Sequence, residues 1–525
     1  MSNHPQQTQL IQMAEASPAG QTSEMQVKSP NPISEVVVGI IAERALGIKR
    51  PWAFGTSEDF EKIGHEALLP ALAKTTVRDT PFLVTIGSPQ CKQPYQASLL
   101  NCSALSFGPM GKNFILALNQ AAHLGGFYQN TGEAGLSPFH FGVDVDIEAP
   151  DFSAEAFFAG VKQNAYAEAL EAGDLVWQIG NGYFGCRTPD GYFDPLQFAE
   201  KATLNNVKMI EIKLSQGVEP CKTMPVPRVT TGMAKLMGLP STDQARLQNE
   251  HSAFSSPVGL LRFVQQLREL SGGKPVGIKT GISHRYYFLA ICKAMLQTGI
   301  VPDFITVDGM EAGTAAASIG TTGFTGTSLN ESILFVHNAL VGIQMRKHIK
   351  IIASGRVFTE QDIITKLARG ADLCLTARGM LLAVGCDQQR ECYKGLCTKG
   401  IATQDPSLLK RFNIRENAIR LYHYHKLTIE ELMELFSIAG VNHPDQIAPH
   451  MIQKRISTVE VKPLNEIYDF IKPGSLLTIW PWRIPKAFRQ AWRFAKPDEP
   501  FSASLERQLN KAARSIWKQS GSRPR

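Results

Sequence analysis

The fold is decided by four short apolar segments that follow one another along the chain: Val276-Gly-Ile-Lys-Thr280, Phe304-Ile-Thr-Val307, Ile349-Lys-Ile-Ile-Ala353 and Leu373-Cys-Leu-Thr376. Longer segments with a helical pattern, such as Arg285–Thr298, separate them. A short apolar run that alternates with a helical pattern predicts parallel strands joined by right-handed helical crossovers.

Four similar segments precede these, at Ser98–Ser106, Gly125–Asn130, Leu175–Ile179 and Met209–Leu214. Eight strands predict an α/β fold of the (β/α)8 TIM barrel type, although spacing alone also allows an open doubly wound sheet. Residues 405–475 show a helical pattern, clearest at Ile429–Ile438. The predicted organisation is a disordered tail (1–30), an N-terminal extension (31–90), the barrel with its cysteine loop (91–405), a helical extension (406–480) and a basic C-terminal tail (481–525).

Composition narrows the class of protein. The 525 residues are 43% hydrophobic and 19% charged, as in an ordinary globular protein. No apolar run approaches the roughly 20 residues that span a bilayer, and no signal peptide is recognisable. Nine cysteines, an odd number, argue against a disulfide framework and favour the cytoplasm. Nothing indicates nucleic-acid binding.

The net charge of +7 is concentrated near the C-terminus, where residues 483–525 contain eleven Lys or Arg and three Asp or Glu. Within this tail, residues 502–518 have the pattern of an amphipathic helix. Three interpretations remain open: docking of an acidic electron donor such as ferredoxin, contact with an anionic membrane, or a solvated helix packed on the body.

In a barrel of this kind, chemistry occurs where the strands end at their carboxyl side. The predicted strand ends carry a polar and glycine-rich set, in contrast to the apolar runs before them. Its members are Ser106, Glu133, Gln178, Lys213, Lys279, Asp308, Ser354, Gly355, Arg356, Ala377, Arg378 and Gly379.

The turns Ser354-Gly-Arg356 and Ala377-Arg-Gly379 follow the last two predicted strands, where barrels commonly bind phosphate. The plainer interpretation is that the glycines end strands and the arginines are solvated. Lys213 and Lys279 lie inside apolar patterns, and each needs an anionic or hydrogen-bonding partner. Such a partner is either the anionic edge of a reduced flavin or a carboxylate such as Glu211 or Asp308. Glu133 is either an active-site carboxylate or a helix cap.

Cys386-x5-Cys392-x4-Cys397 places three thiols within twelve residues. Thiolates select iron–sulfur clusters, zinc or copper(I). Zinc, or a chance grouping of buried thiols, also stays open at this point, although structural zinc usually takes four ligands.

Taken together, the motifs resemble the FMN/iron–sulfur synthase domain of the glutamate synthase family, and most of all its short, stand-alone members. The matching stretches occur in the same order over roughly residues 85–480. They are Ser103-Ala-Leu-Ser-Phe-Gly108, Gly125-Gly126, Asn130-Thr-Gly-Glu133, Ile210-Glu-Ile-Lys-Leu-Ser-Gln-Gly217, Asp303-Phe-Ile-Thr-Val-Asp-Gly309 and Cys386–Cys397 followed by Gly400-Ile-Ala-Thr-Gln-Asp405.

The resemblance implies FMN in the barrel mouth and a [3Fe-4S] cluster on Cys386, Cys392 and Cys397. It implies that the turns at 354–356 and 377–379 hold the flavin phosphate, and that Gln178, Lys213 and Lys279 line the flavin, with Ser106 also in the cofactor site. The expected reaction is reductive amination of 2-oxoglutarate to glutamate, with Glu133 and Lys213 among the catalytic residues. Electrons would come from ferredoxin or a reductase subunit.

The sequence has no glutamine-hydrolysing region before the barrel, so ammonia would come from solution or from a separate subunit. It also departs from the family at Gly217-Val-Glu-Pro-Cys221, where Glu219 replaces a lysine that helps to hold the oxo acid. A carboxylate repels an anionic substrate unless it is protonated or paired. Glu219 is therefore a candidate catalytic residue for an altered substrate that bears an amine. A non-catalytic electron-relay subunit is the third hypothesis.

Overall fold

The computed structural model describes residues 33–49, 59–76, 80–217, 229–242, 250–313, 317, 322–389 and 391–503. The predicted tail at 1–30, the candidate Glu219 and most of the predicted amphipathic helix at 502–518 lie outside these ranges. In the described part of the chain, no helix combines the length and the apolar character that crossing a membrane requires.

Eight parallel strands close into a barrel, which confirms the predicted (β/α)8 fold and excludes the open sheet. Each strand pairs with its neighbours in sequence, and the last pairs with the first. The barrel strands are β4 (Leu100–Cys102), β5 (Gln129–Asn130), β6 (Leu175–Ile179), β7 (Val207–Lys213), β8 (Val276–Thr280), β9 (Phe304–Asp308), β10 (Lys350–Ser354) and β11 (Leu373–Thr376).

The first two barrel strands are shorter than predicted. The chain leaves β4 at Ser103, whose amide donates to the carbonyl of Thr376 at 3.0 Å. The residues that follow, up to Gly108, form a loop above the barrel and not a continuation of the strand. Leu105 and Phe107 are apolar because this loop is buried, and their spacing resembles the pattern of a strand.

A two-stranded antiparallel hairpin, β2 (Leu83–Ile86) and β3 (Tyr95–Ser98), packs against the barrel. Its Ile86 and Ala97 are fully buried in one apolar cluster with barrel-strand residues such as Val176, Met209 and Ile352. These side chains fill the barrel interior, as expected for a barrel that is a packed core and not a pore.

The outer layer consists of helices, and the starts of several of them are visible in the sequence. Ser256 caps the helix that begins at Pro257, and Asp194 caps the one that begins at Pro195. Within the described residues, the α-helices are α1 (Glu35–Ala45), α2 (Lys112–Gly125), α3 (Ala154–Lys162), α4 (Ala167–Leu170), α5 (Pro195–Ala202), α6 (Thr231–Met237), α7 (Pro257–Leu270), α8 (Arg285–Thr298), α9 (Leu329–Gly342), α10 (Glu360–Leu367), α11 (Arg378–Ala383), α12 (Pro406–Leu409), α13 (Ile414–Ile438), α14 (Leu464–Ile467) and α15 (Lys486–Phe494).

The extension after the barrel is built around the 25-residue helix α13, which packs against α1 and α2. The prediction that residues 405–475 are helical throughout is wrong in one part. Strands β12 (Ile452–Arg455) and β13 (Val461–Pro463) lie there; β12 pairs on one side with β13 and on the other with β1 (Glu66–Leu68) from the N-terminal extension. Pairing with a strand so distant in sequence, and not local periodicity, makes these residues extended.

Candidate active site

A buried carboxylate organises the upper interior of the barrel. Glu211 on β7 is 1% exposed and lies in register with Gln178 on β6. Its Oε1 accepts hydrogen bonds from Asn130 Nδ2 at 2.8 Å and Gln178 Nε2 at 2.7 Å, and its Oε2 accepts one from Thr306 Oγ1 at 2.5 Å. Three neutral donors thus hold one buried carboxylate, and the predicted site residue Gln178 is fixed by this network.

Above this layer, Lys213 on β7 and Lys279 on β8 are neighbours in register. Each has its own carboxylate partner, which offsets the repulsion between two adjacent cations. Lys213 Nζ lies 2.5 Å from Glu133 Oε1, and Lys279 Nζ lies 3.6 Å from Asp308 Oδ2. Of the two carboxylates proposed as partners from the sequence, Asp308 pairs with a lysine, whereas Glu211 binds the neutral donors.

Lys279 is buried, and its electrostatics are set by the acids around it. Burial alone would lower the pKa of Lys279, but Asp308, Glu211 and Glu133 together outweigh it and raise that pKa. The side chain therefore stays cationic at neutral pH. Asp308 Oδ2 also accepts from the amide of Gly217 at 3.0 Å, whereas its buried Oδ1 has no hydrogen-bond partner within the described residues.

The Glu133–Lys213 pair is partly accessible, with side-chain exposures of 25% and 14%. Glu133 packs against Gly180, where an added Cβ would lie 2.5 Å from Glu133 Oε2. A larger residue at Gly180 would therefore displace the carboxylate. The pair thus places a proton donor, the ammonium of Lys213, beside a proton acceptor, the carboxylate of Glu133, at the open end of the barrel.

Sequence analysis missed a histidine beside this pair. His251 Nε2 lies 2.8 Å from the carbonyl oxygen of Lys213, so this nitrogen carries a proton and donates it. The other ring nitrogen, Nδ1, lies 3.1 Å from the hydroxyl of Tyr183. Burial lowers the pKa of His251, which agrees with a neutral ring that accepts at Nδ1. His251 lies on a loop, where no strand or helix pattern draws attention to it.

The first predicted phosphate turn follows β10. Ser354 Oγ lies 3.3 Å from Ser103 Oγ, and Ser354 is in register with Asp308. Gly355 has φ +136°, a conformation that side chains rarely adopt, and Arg356 has φ +48°. Two successive residues with positive φ form a tight turn, which changes the direction of the backbone directly after the strand ends.

The second turn follows β11 and is partly engaged within the protein. The Gly379 amide donates to Thr376 Oγ1 at 3.2 Å, and an added Cβ would collide with the Tyr424 hydroxyl. Packing therefore accounts for glycine at this position. Arg378 Nη2 donates to the carbonyl of Glu311 at 3.0 Å and so ties this turn to the loop after β9. Ala377, which precedes the helix, is half-buried.

The three cysteines lie together in the loop after α11, each of them partly buried against the main core. Burial raises the pKa of Cys386, and nearby Cys392 and Cys397 raise it further, so both of these sulfurs lie close enough to Cys386 to influence it. Among the described residues, no group of three or more His, Cys, Asp or Glu side chains is arranged to hold a single metal ion.

The cysteine loop is attached to the barrel mouth. Gln404 Nε2 donates to the carbonyls of Gly108 at 2.8 Å and Met110 at 2.9 Å, and the Gly111 amide donates to Ile401. These contacts join the segment after the cysteines to the loop that follows β4. The same β4 loop contains Ser106, whose Oγ lies against Gly132 on the neighbouring loop.

The predicted site residues are thus gathered at one end of the barrel, with the exception of Glu219, which lies outside the described residues. Sequence analysis did not assign roles to Asn130, Thr306, Ser103 or His251. Asn130 ends β5 and Ser103 follows the end of β4, so the strand-end criterion that selected Gln178 also applies to them, whereas Thr306 lies in the middle of β9.

The chain is similar to known proteins over most of its length. The conserved region of glutamate synthase matches residues 72–442. YerD, a glutamate synthase large subunit-like protein of Bacillus subtilis, is 32% identical over 394 residues, which cover 74% of this chain and 69% of YerD.

Two further relatives are more distant. An archaeal-type glutamate synthase (NADPH) of Thermotoga neapolitana is 28% identical over 65% of this chain and 59% of its own length. An archaeal glutamate synthase (NADPH) of Methanocaldococcus jannaschii is 26% identical over 73% of this chain and 64% of its own length. The chain thus spans less than two thirds of these two proteins.

Proposed function

The chain belongs to the glutamate synthase family, and we propose that it is an FMN- and iron–sulfur-dependent oxidoreductase that reductively aminates a 2-oxo acid. The observation that carries this proposal is the pairing of two adjacent lysines with Glu133 and Asp308 at a barrel mouth to which a three-cysteine loop is bonded. Ammonia comes from solution or a partner, and electrons come from ferredoxin or a reductase subunit.

The residues at the mouth fit FMN. Lys279 supplies a buried cation that remains charged, and Asp308 Oδ1 is a buried acceptor without a partner in the described residues. Gln178 is held in place by Glu211. We assign the flavin ring to this polar surface and its phosphate to the turns at 354–356 and 377–379. When bound, FMN supplies reversible two-electron chemistry.

The donor set of the cysteine loop fits an iron–sulfur cluster. Three thiols are the ligand number of a [3Fe-4S] cluster, and soft sulfur ligands match iron–sulfur chemistry. The loop is bonded to the segment that follows β4, at the same end of the barrel as the lysines. We assign the cluster to Cys386, Cys392 and Cys397, where it would relay electrons between an outside donor and the mouth.

The chain's own residues have three tasks in this reaction. Reduction of an imine to an amine adds one hydride and one proton, and Lys213 beside Glu133 can hold and return that proton. Lys279 offers positive charge to an anionic group at the mouth. The loops after β7 and β9 contact each other closely at Gly217 and Gly309, which limits the access of water.

A second candidate function keeps the cofactors and changes the substrate. Glu219 stands where the family usually carries a lysine that holds the oxo acid. A carboxylate there favours a cationic group, so an amine-bearing substrate is the alternative.

The test uses protein reduced anaerobically and then mixed with 2-oxoglutarate and ammonia while flavin absorbance is followed. We expect flavin reoxidation with one amino acid formed per flavin, and we expect Lys213→Met to slow it at least about a hundredfold. Lys112→Met is the matched control, because Lys112 forms a lysine–carboxylate pair with Asp144 on the surface. Reduction of oxidised flavin by an amine, with no response to oxo acids, would support the second candidate. A flavin that responds to neither class of substrate would indicate an electron relay and contradict the proposal.

A further inference from the structure

An exposed apolar surface lies far along the chain from the active-site residues. Ile479 is 83% exposed, Trp480 44% and Trp482 63%. The two tryptophan rings lie 4.9 Å apart. Large apolar side chains clustered in this way, and not scattered singly, indicate an interaction site.

The structure holds this surface in place. Arg489 on α15 donates to the carbonyl of Trp482 at 2.7 Å and to that of Ile484 at 3.2 Å. Ile484 is 6% exposed, and Phe488 stacks on Phe335 of α9 with ring centroids 5.4 Å apart. The tryptophans are therefore presented by an anchored turn, whose neighbours are buried in the main core.

The surroundings of the tryptophans are strongly basic. Residues 470–497 contain six Lys or Arg and no Asp or Glu. Arg483 follows Trp482 directly, and Lys486, Arg489 and Arg493 are exposed on the next helix. The surface thus combines exposed tryptophan with positive charge, which matches a partner that offers apolar groups beside negatively charged groups.

The segment that leads into this surface lies at the end of the barrel opposite the mouth. The amide of Gly474 donates to Val341, and that of Leu476 donates to Gly342, at the carboxyl end of α9. Barrel helices run antiparallel to the strands, so this end of α9 is opposite the mouth.

We propose that this surface, Leu477–Arg493, docks the protein peripherally on an anionic bilayer. Tryptophan favours the membrane interface, because its ring is apolar while its N–H can bond to headgroups. Lysine and arginine beside it attract anionic lipid. Positive charge alone would also suit an acidic electron-donor protein, but the two exposed tryptophans favour the bilayer.

The test measures co-sedimentation of the full-length protein with vesicles of phosphatidylcholine alone or of equal parts phosphatidylcholine and phosphatidylglycerol. We expect binding to the anionic vesicles only. Arg483→Gln with Lys486→Gln should weaken it about thirtyfold, at roughly fivefold for each charge near the surface. Trp480→Ser with Trp482→Ser should weaken it at least about tenfold through lost apolar insertion. These side chains are exposed, so the variants should fold, and flavin and cluster absorbance verifies this.

The matched control is Leu196→Ser, which removes a 77% exposed apolar side chain on α5 and should leave vesicle binding unchanged. Failure to bind either vesicle would overturn the proposal, and so would equal binding to both. Polyglutamate provides a second comparison. If it competed fully with the vesicles and the tryptophan variant bound normally, charge alone would explain the interaction and the bilayer would be excluded.

Discussion

Replacement of Glu211 tests the buried network on which the site is built. Its carboxylate accepts from Asn130, Gln178 and Thr306 at a position that is 1% exposed. Each buried donor left without an acceptor costs about 1–3 kcal/mol. Glu211→Ala leaves all three donors without an acceptor. A water molecule that enters the vacated space can accept from some of them, which keeps the cost near the lower limit of about 1 kcal/mol for each donor. We therefore expect a decrease of about 3–5 kcal/mol in the free energy of unfolding.

Glu211→Gln should be milder, at about 1–2 kcal/mol. The amide oxygen still accepts two bonds, and the Thr306 hydroxyl can turn to accept from the new NH2 group. The assay is urea unfolding followed by far-ultraviolet circular dichroism, after reversibility has been verified. Glu416→Ala is the matched control, because its exposed pair with Arg420 should contribute less than about 0.5 kcal/mol. A loss below about 1 kcal/mol for Glu211→Ala, or a larger loss for Gln than for Ala, would refute this account of the network.

Three further predictions follow from individual contacts. Cys386→Ser should remove iron–sulfur absorbance and leave flavin bound, whereas Cys91→Ser should keep both; loss of both signals in Cys91→Ser would count against the assignment. Lys279→Met should weaken FMN binding at least about tenfold by ultrafiltration, and adding Asp308→Asn should restore stability but not binding, since it removes the unpaired buried carboxylate. Burial lowers the pKa of His425 to about 4. Below pH about 6.5, His425 binds a proton in the unfolded chain but stays neutral in the folded protein, so the free energy of unfolding falls with decreasing pH. The wild type should lose about 2 kcal/mol from this group between pH 7 and 5, and His425→Gln should show a correspondingly smaller slope in urea titrations; an unchanged slope would exclude His425 as the source.

Much of the barrel could be predicted from the sequence because strands buried on both faces form short, continuous apolar runs. Leu175–Ile179 and Val276–Thr280 have the predicted bounds. The strands were predicted less well where buried apolar residues lie outside a strand, or where a strand has few buried residues. Leu105 is buried in a loop, and Ile452–Arg455 is extended because it pairs with β1, although its own pattern is weak.

The sequence indicated which strand ends carry polar side chains, but not how those side chains pair. A lysine inside an apolar pattern requires a partner, which pointed to Lys213 and Lys279. The partner of each lysine depends on which side chains of other strands and loops lie in the same layer along the barrel axis. That position is set by the register between strands, which the sequence around one residue does not show. Glu211 lies one layer below Lys213 on the same face of β7, so it bonds to neutral donors, while Glu133 arrives from another loop.

His251 could not have been found by the same reasoning, because it contributes through the backbone carbonyl of Lys213. Such a contact depends on how a loop folds over the barrel and leaves no periodic signal. Gly379 shows the opposite case: a glycine that a motif assigns to phosphate also has a packing reason, namely its contact with Tyr424.

The most direct test of the central claim is the cofactor content of protein purified anaerobically and left untreated. We predict a yellow-brown protein that releases FMN on denaturation and contains iron and sulfide in the ratio of a three-iron cluster, with the iron lost when any of Cys386, Cys392 or Cys397 is replaced. Colourless protein that contains zinc and no flavin would contradict the redox function proposed for this barrel.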